Sequence, residues 1–555
     1  MYKNKSIVIN ELVNLPEINK YLEYQNDMGV MFVLEELTTS IRQEDDMSVN
    51  ANKLLGEKLI DSYLVDNPSV NIQKQRDYIK LLDVVDAKID EEISENLKKY
   101  NLYEIVVSMI TLSGILSKIS FGILKNNNEG FVNMSVEGLN NELNLLINAI
   151  RKGENEGLWN IRSSLGVMKR SVELAINYAF MSKKNDKADD LCRLKRVEYK
   201  DFLKPFCAKL YIFQIRSAKK FISDFSEVII NSEGIYLPTL LTREINGNMD
   251  ASKDICIDVY NSFTDKIYKE FEKSYGYSPY DLCEYVYAND DDRAIKMNMP
   301  IIITPKLLMW GDISCFFKNK VSLDNSKKLI ECLVLGKNDL KNKINIIEFS
   351  CKRENRIFYS PIIEVDDYYI FSPWNLKEAT EYFPLRILKR DLSVKFSKKV
   401  NGLIKKYFDE IKLSELDNML RKVGKITKIN YDLGKNDYLK KDLESVKGIP
   451  HELDLLFFND RELVIVDSKN YHIEFSIKEM DITKNKIRNE ESKLRRIRKY
   501  FLDNKDKIEK SLGHEFDTIK LVILTVNPTL YERISHNNDI SVSCISNFIK
   551  EFIVK

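Results

Sequence analysis

The chain lacks the residue patterns that mark several common kinds of site. Its eight cysteines include no C-x-x-C pair, so we expect scattered reduced thiols and neither a disulfide framework nor a structural zinc. The four histidines all lie in the last quarter of the chain, and none completes a zinc-ligand spacing. The P-loop signature G-x-x-x-x-G-K-[ST] is absent, which excludes an ATPase motor of that type.

A strong charge of one sign and an uninterrupted membrane span are also lacking. The formal net charge is +1, from 85 basic and 84 acidic residues, so any nucleic-acid surface has to be a local patch. The opening stretch MYKNKSIVINELVNLPEI has no apolar run long enough for a secretory signal. The best candidate for a span, residues 105–124, is interrupted by Lys118 and by serines, which predicts a buried helix. We expect a soluble, cytoplasmic protein with no membrane partner.

The length of 555 residues is too great for a single core, so several domains are expected. Residues 1–200 are predicted to be mostly helical, because apolar residues recur at three- and four-residue spacing, as in residues 72–100 and 136–154. Residues 201–392 are predicted to be a mixed α+β region, with short strands in INIIEFSCK, RIFYSPIIEV and DYYIFSPW. Residues 393–555 alternate strand and helix patterns, which predicts an α/β domain with a central mixed sheet. The expected fold class is a multidomain chain of these three parts.

The stretch ELDLLFFNDRELVIVDSK, residues 452–469, predicts a β-hairpin with a carboxylate in each strand. The turn formers NDRE separate two apolar runs. A two-residue loop and a four-residue loop both give a register in which Asp454 faces Asp467 and Glu452 faces Lys469. Because side chains alternate along a strand, all four project from one face at one end of the hairpin.

Two facing carboxylates repel by on the order of 3 kcal/mol at about 5 Å. The sheet therefore gains nothing from Asp454 and Asp467 unless a proton or a cation lies between them. Mg²⁺, or Mn²⁺ in its place, takes one or two carboxylates and leaves room for phosphate and water. Such an ion polarises a phosphoryl oxygen and acidifies a water, and Lys469 can position that water or offset developing charge. The predicted chemistry is metal-assisted hydrolysis of a phosphodiester.

The pattern E-L-D, twelve residues, then D-S-K resembles the PD-(D/E)xK nuclease superfamily, which has a restriction-endonuclease-like fold. The resemblance covers roughly residues 393–555. It implies that Asp454 and Asp467 bind the metal, that Lys469 assists the nucleophile, that DNA is the substrate, and that defence against foreign DNA is a role to consider. The chain departs from the family in having no literal Pro-Asp, since Pro450 lies four residues before Asp454.

Further acidic residues are candidates for the same site. Many members of the superfamily add a glutamate from the first helix of the domain, which here indicates Glu410, with Glu415 as the runner-up. A glutamate on an amphipathic helix is more often simply solvated. Glu452 is either a further ligand or a cross-strand partner of Lys469.

Residues 481–500 predict a helix with eight basic residues against three acidic ones. The alternative interpretation is an ordinary solvated helix, and nothing in the stretch indicates recognition of bases. The following side chains are the candidate contacts to a nucleic-acid backbone: Lys493, Arg495, Arg496, Arg498 and Lys499.

Two other functional interpretations stay open. The protein is alternatively a non-catalytic nucleic-acid-binding or scaffold protein whose nuclease fold has decayed, although the intact aspartates and lysine argue against this. In a third interpretation, the helical N-terminal region binds a second copy of the chain or a partner protein, and the nuclease acts as its effector.

Overall fold

The protein divides into two compact units. In the computed structural model, unit 1 comprises Met1–Lys219, Glu227–Leu237 and Phe271–Lys395, and unit 2 comprises Lys220–Ser226, Pro238–Glu270 and Phe396–Lys555. The structure describes residues 16–45, 59–60, 62–63, 75–124, 161–182, 194–221, 229–231, 234–236, 263–276, 278, 300–303, 331–340, 357–366, 368–389, 392, 395–407, 411–433, 452–471, 477–526, 529, 531–532 and 539–554. The three-domain division of the chain at residues 200 and 392 stays a prediction.

Helices dominate the first part of the chain. The helices up to residue 389 are α1 Pro16–Asp45, α2 Gln75–Lys99, α3 Leu102–Leu124, α4 Ile161–Ser182, α5 Tyr199–Phe221, α6 Thr264–Tyr275, α7 Lys337–Leu340 and α8 Pro373–Lys389. In α2 the predicted periodicity is confirmed, because Leu82, Val85, Ile89 and Ile93 are buried at spacings of three and four. The predicted helix at residues 136–154 lies outside the described residues.

A reciprocal cap begins α3. The Asn101 side chain accepts a hydrogen bond from the Glu104 amide at 2.8 Å, and the Glu104 carboxylate accepts one from the Asn101 amide at 2.7 Å. This is the capping-box arrangement, which satisfies amides left unpaired at a helix start.

Helix α3 is long and apolar enough to cross a membrane by length and composition, and the qualifying window, Leu102–Ser120, is entirely buried inside the protein. The serines that interrupt the apolar run form internal hydrogen bonds, such as that between Ser108 and Tyr21 at 2.9 Å. The predicted buried helix is confirmed.

A buried polar network joins α3 to α8 and α4. The Ser117 hydroxyl donates to Glu378 at 2.5 Å, and the Lys169 ammonium donates to the two oxygens of Glu378 at 2.6 and 2.9 Å. Asn375 donates to Ser113. The polar residues of α3 thus specify which helices pack against it.

Short strands complete unit 1. They are β1 Ile229–Asn231, β2 Gly234–Tyr236, β3 Ile301–Ile303, β4 Val334–Leu335, β5 Ile362–Val365 and β6 Tyr368–Phe371. β1 and β2 form an antiparallel pair, and the others form a mixed sheet in the order β3-β6-β5-β4. The predicted strands in RIFYSPIIEV and DYYIFSPW correspond to β5 and β6. The predicted strand INIIEFSCK lies outside the described residues.

The larger sheet belongs to unit 2 and is also mixed. Its strands are β7 Thr427–Asp432, β8 Glu452–Asn459, β9 Glu462–Lys469, β10 Thr518–Thr525 and β11 Ile540–Cys544, in the order β11-β10-β9-β8-β7. β7, β8 and β9 pair antiparallel, whereas β9, β10 and β11 pair parallel. The helices after residue 395 are α9 Lys398–Lys406, α10 Lys412–Lys422, α11 Ile477–Asp503, α12 Lys505–Leu512 and α13 Ile545–Phe552.

Helices cover both faces of this sheet. On one face, Leu494, Ile497 and Phe501 of α11 share a buried core with β8, β9 and β10. On the other, Phe457 contacts Phe548 and Phe552 of α13 at ring-centroid distances of 5.9 and 5.2 Å. The strands β8, β9 and β10 are therefore largely apolar on both sides, and the polar end of the hairpin is the exception. The predicted fold class is confirmed in its general features: the protein is rich in helix and has two mixed sheets, of which the larger lies in the C-terminal part.

Candidate active site

The hairpin of β8 and β9 has the predicted register. Leu455 pairs with Val466 and Asn459 pairs with Glu462, so the connecting loop has two residues. The first loop residue, Asp460, adopts the left-handed conformation with φ 55°. Aspartate tolerates this conformation better than most residues. The tight loop determines which side chains meet at the far end of the hairpin.

Asp454 and Asp467 come together at that end. Asp454 lies one residue before Leu455 on β8, beyond the Leu455–Val466 pair as seen from the loop. Its carboxylate accepts a hydrogen bond from the Ser468 amide on β9 at 2.6 Å. The two carboxyl groups lie close enough for the charge of Asp467 to act on Asp454. Both side chains are partly buried. The prediction that these acids face each other across the hairpin agrees with this geometry.

The electrostatics of the pair follow from burial and from like charge. Burial, and after it the charge of Asp467, raises the pKa of Asp454 to about 6, against the Ser468 amide and Lys469, which lower it. Burial also raises the pKa of Asp467, although the Lys469 ammonium opposes the shift. The site therefore holds its protons more tightly than a solvated pair of aspartates would.

Lys469 contacts Asp467 on its own strand. Its ammonium lies 2.7 Å from an oxygen of Asp467 and 3.8 Å from an oxygen of Glu490. Burial lowers the pKa of Lys469, but the charges of Asp467, Asp454 and Glu490 outweigh burial and the pKa is raised. The ammonium thus stays charged beside the carboxyl pair.

Glu490 is a site residue that the sequence analysis missed. It lies on α11 with its side chain 15% exposed, and it contacts the Lys469 ammonium. It also accepts hydrogen bonds from Lys493 at 2.8 and 2.9 Å. The signal in the sequence is an acidic residue inside a largely basic helix that follows the hairpin. Only the packing of α11 on the sheet shows that this residue reaches Lys469.

Tyr471 borders the same group. Burial raises the pKa of its hydroxyl, and the charges of Glu490 and Asp467 add to this effect. The hydroxyl therefore stays protonated. The Lys486 ammonium lies 5.9 Å from the centre of the Tyr471 ring, a cation–π distance.

The donor set fits a hard divalent cation through two carboxylates. Among the described residues, no group of three or more His, Cys, Asp or Glu side chains is placed to hold a metal ion. The protein ligands for Mg²⁺ would be Asp454 and Asp467. One or two carboxylates is what Mg²⁺ takes when substrate phosphates and water fill the other positions.

Of the other predicted acids, Glu452 and Glu415 are among the described residues. Glu452 is exposed and pairs in register with Asp432 on β7. Glu415 is half exposed and forms an ion pair with Lys412 at 2.9 Å. Glu410 lies outside the described residues, and so do His451 and His472 beside the hairpin.

The basic residues predicted on α11 differ in what they contact. Arg495 and Arg498 point to Asp539, at 3.0 and 3.3 Å. Arg496 and Lys499 are exposed. Lys493, half exposed, is bound to Glu490 as described above.

Comparison of the chain with protein-family models, with curated proteins and with solved structures found no match. The resemblance to PD-(D/E)xK nucleases therefore depends on the residues of the hairpin and on the arrangement of elements around it.

Proposed function

We propose that unit 2 is a metal-dependent nuclease of the PD-(D/E)xK type, with a restriction-endonuclease-like fold and DNA as its preferred substrate. The observation that supports this proposal is the group at the end of the hairpin: two partly buried carboxyls close enough for the charge of one to act on the other, with an ammonium 2.7 Å from one of them. A sheet that only needed stability would not place two acids together there. Defence against foreign DNA is the role that the family resemblance suggests.

Each residue of the group has a separate task in the proposed reaction. Asp454 and Asp467 hold Mg²⁺, or Mn²⁺ in its place, and the Ser468 amide fixes the orientation of Asp454. The bound ion supplies polarisation of a phosphoryl oxygen and acidification of water. The Lys469 ammonium offsets negative charge that develops at the phosphate as the attacking oxygen approaches.

The test is cleavage of supercoiled plasmid and of single-stranded DNA with Mg²⁺, with Mn²⁺ and with EDTA. We expect cleavage only with the ions. Asp467→Asn should reduce cleavage to background, and Lys469→Met should reduce its rate about 10²- to 10³-fold, as loss of a single transition-state partner does. Asp506→Asn, at an exposed position of α12, is the matched control and should cleave like the wild type.

The opposite outcome identifies the alternative function. If the wild type and Asp467→Asn bind DNA equally and neither cleaves it with any divalent ion, the protein is a non-catalytic nucleic-acid-binding protein with a decayed nuclease fold.

A further inference from the structure

The basic residues of α11 separate by what they contact. Arg495 and Arg498 share Asp539, and Arg495 also lies 3.7 Å from Glu491. Glu491 is buried and accepts a hydrogen bond from Tyr531 at 2.9 Å. These arginines are therefore held by carboxylates of the same unit and join α11 to the segments around Tyr531 and Asp539.

A second set of basic residues faces solvent. We call it the α11 track, and it consists of Lys486, Lys493, Arg496 and Lys499, all exposed. Between Lys486 and Leu502 the sequence has two acidic residues, Glu490 and Glu491, and both side chains are largely buried. The outer surface of the helix over this length is therefore positive, without interspersed carboxylates.

The length of the α11 track matches several phosphates of a nucleic-acid backbone. The thirteen-residue step from Lys486 to Lys499 covers about 20 Å of helix at about 1.5 Å per residue. One strand of a duplex carries about one phosphate per 3.4 Å of axis, so this length spans about six phosphates. At about 100° per residue, the four side chains form an oblique stripe along the helix.

The track also begins at the candidate active site. Lys493 is bound to Glu490, and the same carboxylate lies 3.8 Å from Lys469. Lys486 lies over the ring of Tyr471. A backbone that followed Lys499, Arg496 and Lys493 would therefore arrive at Lys469 and the carboxyl pair.

We propose that the phosphodiester backbone of the substrate lies along the α11 track and is led by it to Lys469, whereas Arg495 and Arg498 hold the fold and do not contact the substrate. This inference rests on the proposed nuclease function, because it assumes that the nucleic acid bound along α11 is the substrate of the site at Lys469. Contacts to phosphates predict affinity without sequence preference.

The test is binding of fluorescently labelled 20-mers in EDTA, measured by anisotropy at several salt concentrations, with single-stranded DNA, duplex DNA and single-stranded RNA as separate arms. The variant is R496Q/K499Q. The matched control is K422Q/K550Q, which removes two exposed lysines from α10 and α13 of the same unit. All four positions are exposed, and circular dichroism melts verify that both variants fold.

For R496Q/K499Q we expect affinity at 0.1 M salt to fall at least about tenfold, and the slope of log K against log salt to become shallower by about 1.8 on duplex or about 1.4 on a single strand. The control should change neither quantity. The nucleic acid that the wild type binds most tightly is the preferred one.

Equal losses of affinity in the two variants, or no loss in R496Q/K499Q, would overturn the proposal that the backbone lies along the α11 track. Plasmid cleavage with Mg²⁺ then separates the two proposals. If the wild type cleaves but the substitutions at Arg496 and Lys499 do not change binding, the role of the α11 track is disproved and the nuclease function is not. If the wild type neither binds nor cleaves, the nuclease function is disproved as well.

Discussion

Asp454 shows in one residue how the site differs from ordinary structure. Its carboxyl is partly buried, accepts an amide hydrogen bond and faces a second carboxyl. Burial and the charge of Asp467 raise its pKa from the ordinary aspartate value to about 6. Ionisation of the pair therefore costs folding free energy, which a site used only for stability would not retain.

The pH dependence of stability follows from the sign of this shift. Between the ordinary value of 3.8 and about 6, the folded chain binds the Asp454 proton and the unfolded chain has lost it. Stability therefore falls as pH rises through this window. Asp454→Asn should weaken the dependence, of which the raised pKa of Asp467 leaves a part. It should stabilise the metal-free protein at pH 8 by on the order of 2 kcal/mol, while it abolishes cleavage. Its amide oxygen can still accept from Ser468, and its NH₂ can donate to Asp467.

Amide hydrogen exchange of β8 and β9 in EDTA measures this effect. It is preferred to fluorescence because the three tryptophans, Trp159, Trp310 and Trp374, lie outside unit 2. Asp460→Asn, in the hairpin loop, is the control and should leave the pH profile unchanged. Lower protection in Asp454→Asn than in the wild type at pH 8 would show that the ionised pair stabilises the hairpin instead.

The part of this site that depends on neighbouring residues of one hairpin could be predicted from the sequence. Strand alternation and a two-residue turn determine that Asp454 faces Asp467, because both depend on residues within one hairpin. Glu490 could not be predicted, since its position depends on the rotation of α11 against the sheet. Lys469 shows the same limit, because strand alternation does not indicate that its ammonium contacts Asp467 on its own strand and reaches Glu490 on α11.

At the scale of elements, periodicity was sufficient for long helices and for strands with clear turns. Helix α2 and the hairpin strands β8 and β9 lie where their patterns predicted them. Two-residue strands such as β4, Val334–Leu335, have no such pattern, because their pairing is decided by segments distant in sequence. The contacts of α3 could not be predicted either, since in the sequence its serines only interrupt an apolar run and do not indicate which helices they contact.

The buried network between α3, α4 and α8 yields a stability prediction. Glu378 and Lys169 are 9% and 14% exposed, and Ser117 donates to the same carboxylate. Glu378→Ala leaves a buried ammonium without that partner, so we expect a loss of about 3–5 kcal/mol in the free energy of unfolding. Denaturant unfolding followed by tryptophan fluorescence reports it, because Trp374 lies on α8 with Glu378.

The matched control is Glu35→Ala, which removes the partner of Lys200 in an ion pair that is about half exposed on both sides. Its cost should be about 0–1 kcal/mol. Equal effects of the two substitutions would mean that burial of the Glu378 pair contributes nothing to unit 1.

At the scale of the whole molecule, the unit that carries the site is not one continuous stretch of chain. Tyr407, at the end of α9, is 1% exposed and stacks on Phe263 with ring centroids 5.6 Å apart. Lys399 forms an ion pair with Glu270 at 3.2 Å. Residues 263–270 therefore belong to the packing of unit 2, although more than 120 residues separate them from α9 in sequence.

A fragment that begins at Phe396 should therefore keep its sheet and lose order in α9. Without Phe263, the Tyr407 ring is exposed to water and the stacked pair, worth about 0.5–1.5 kcal/mol beyond burial, is gone. We expect faster amide exchange across α9 in the fragment Phe396–Lys555 than in the full chain, with unchanged exchange in β8, β9 and β10. Phe263→Ala in the full chain should reproduce the effect on α9, and Lys550→Gln should not. If α9 is as protected in the fragment as in the full chain, the continuous C-terminal stretch is sufficient for the unit, and the contribution of residues 263–270 is dispensable.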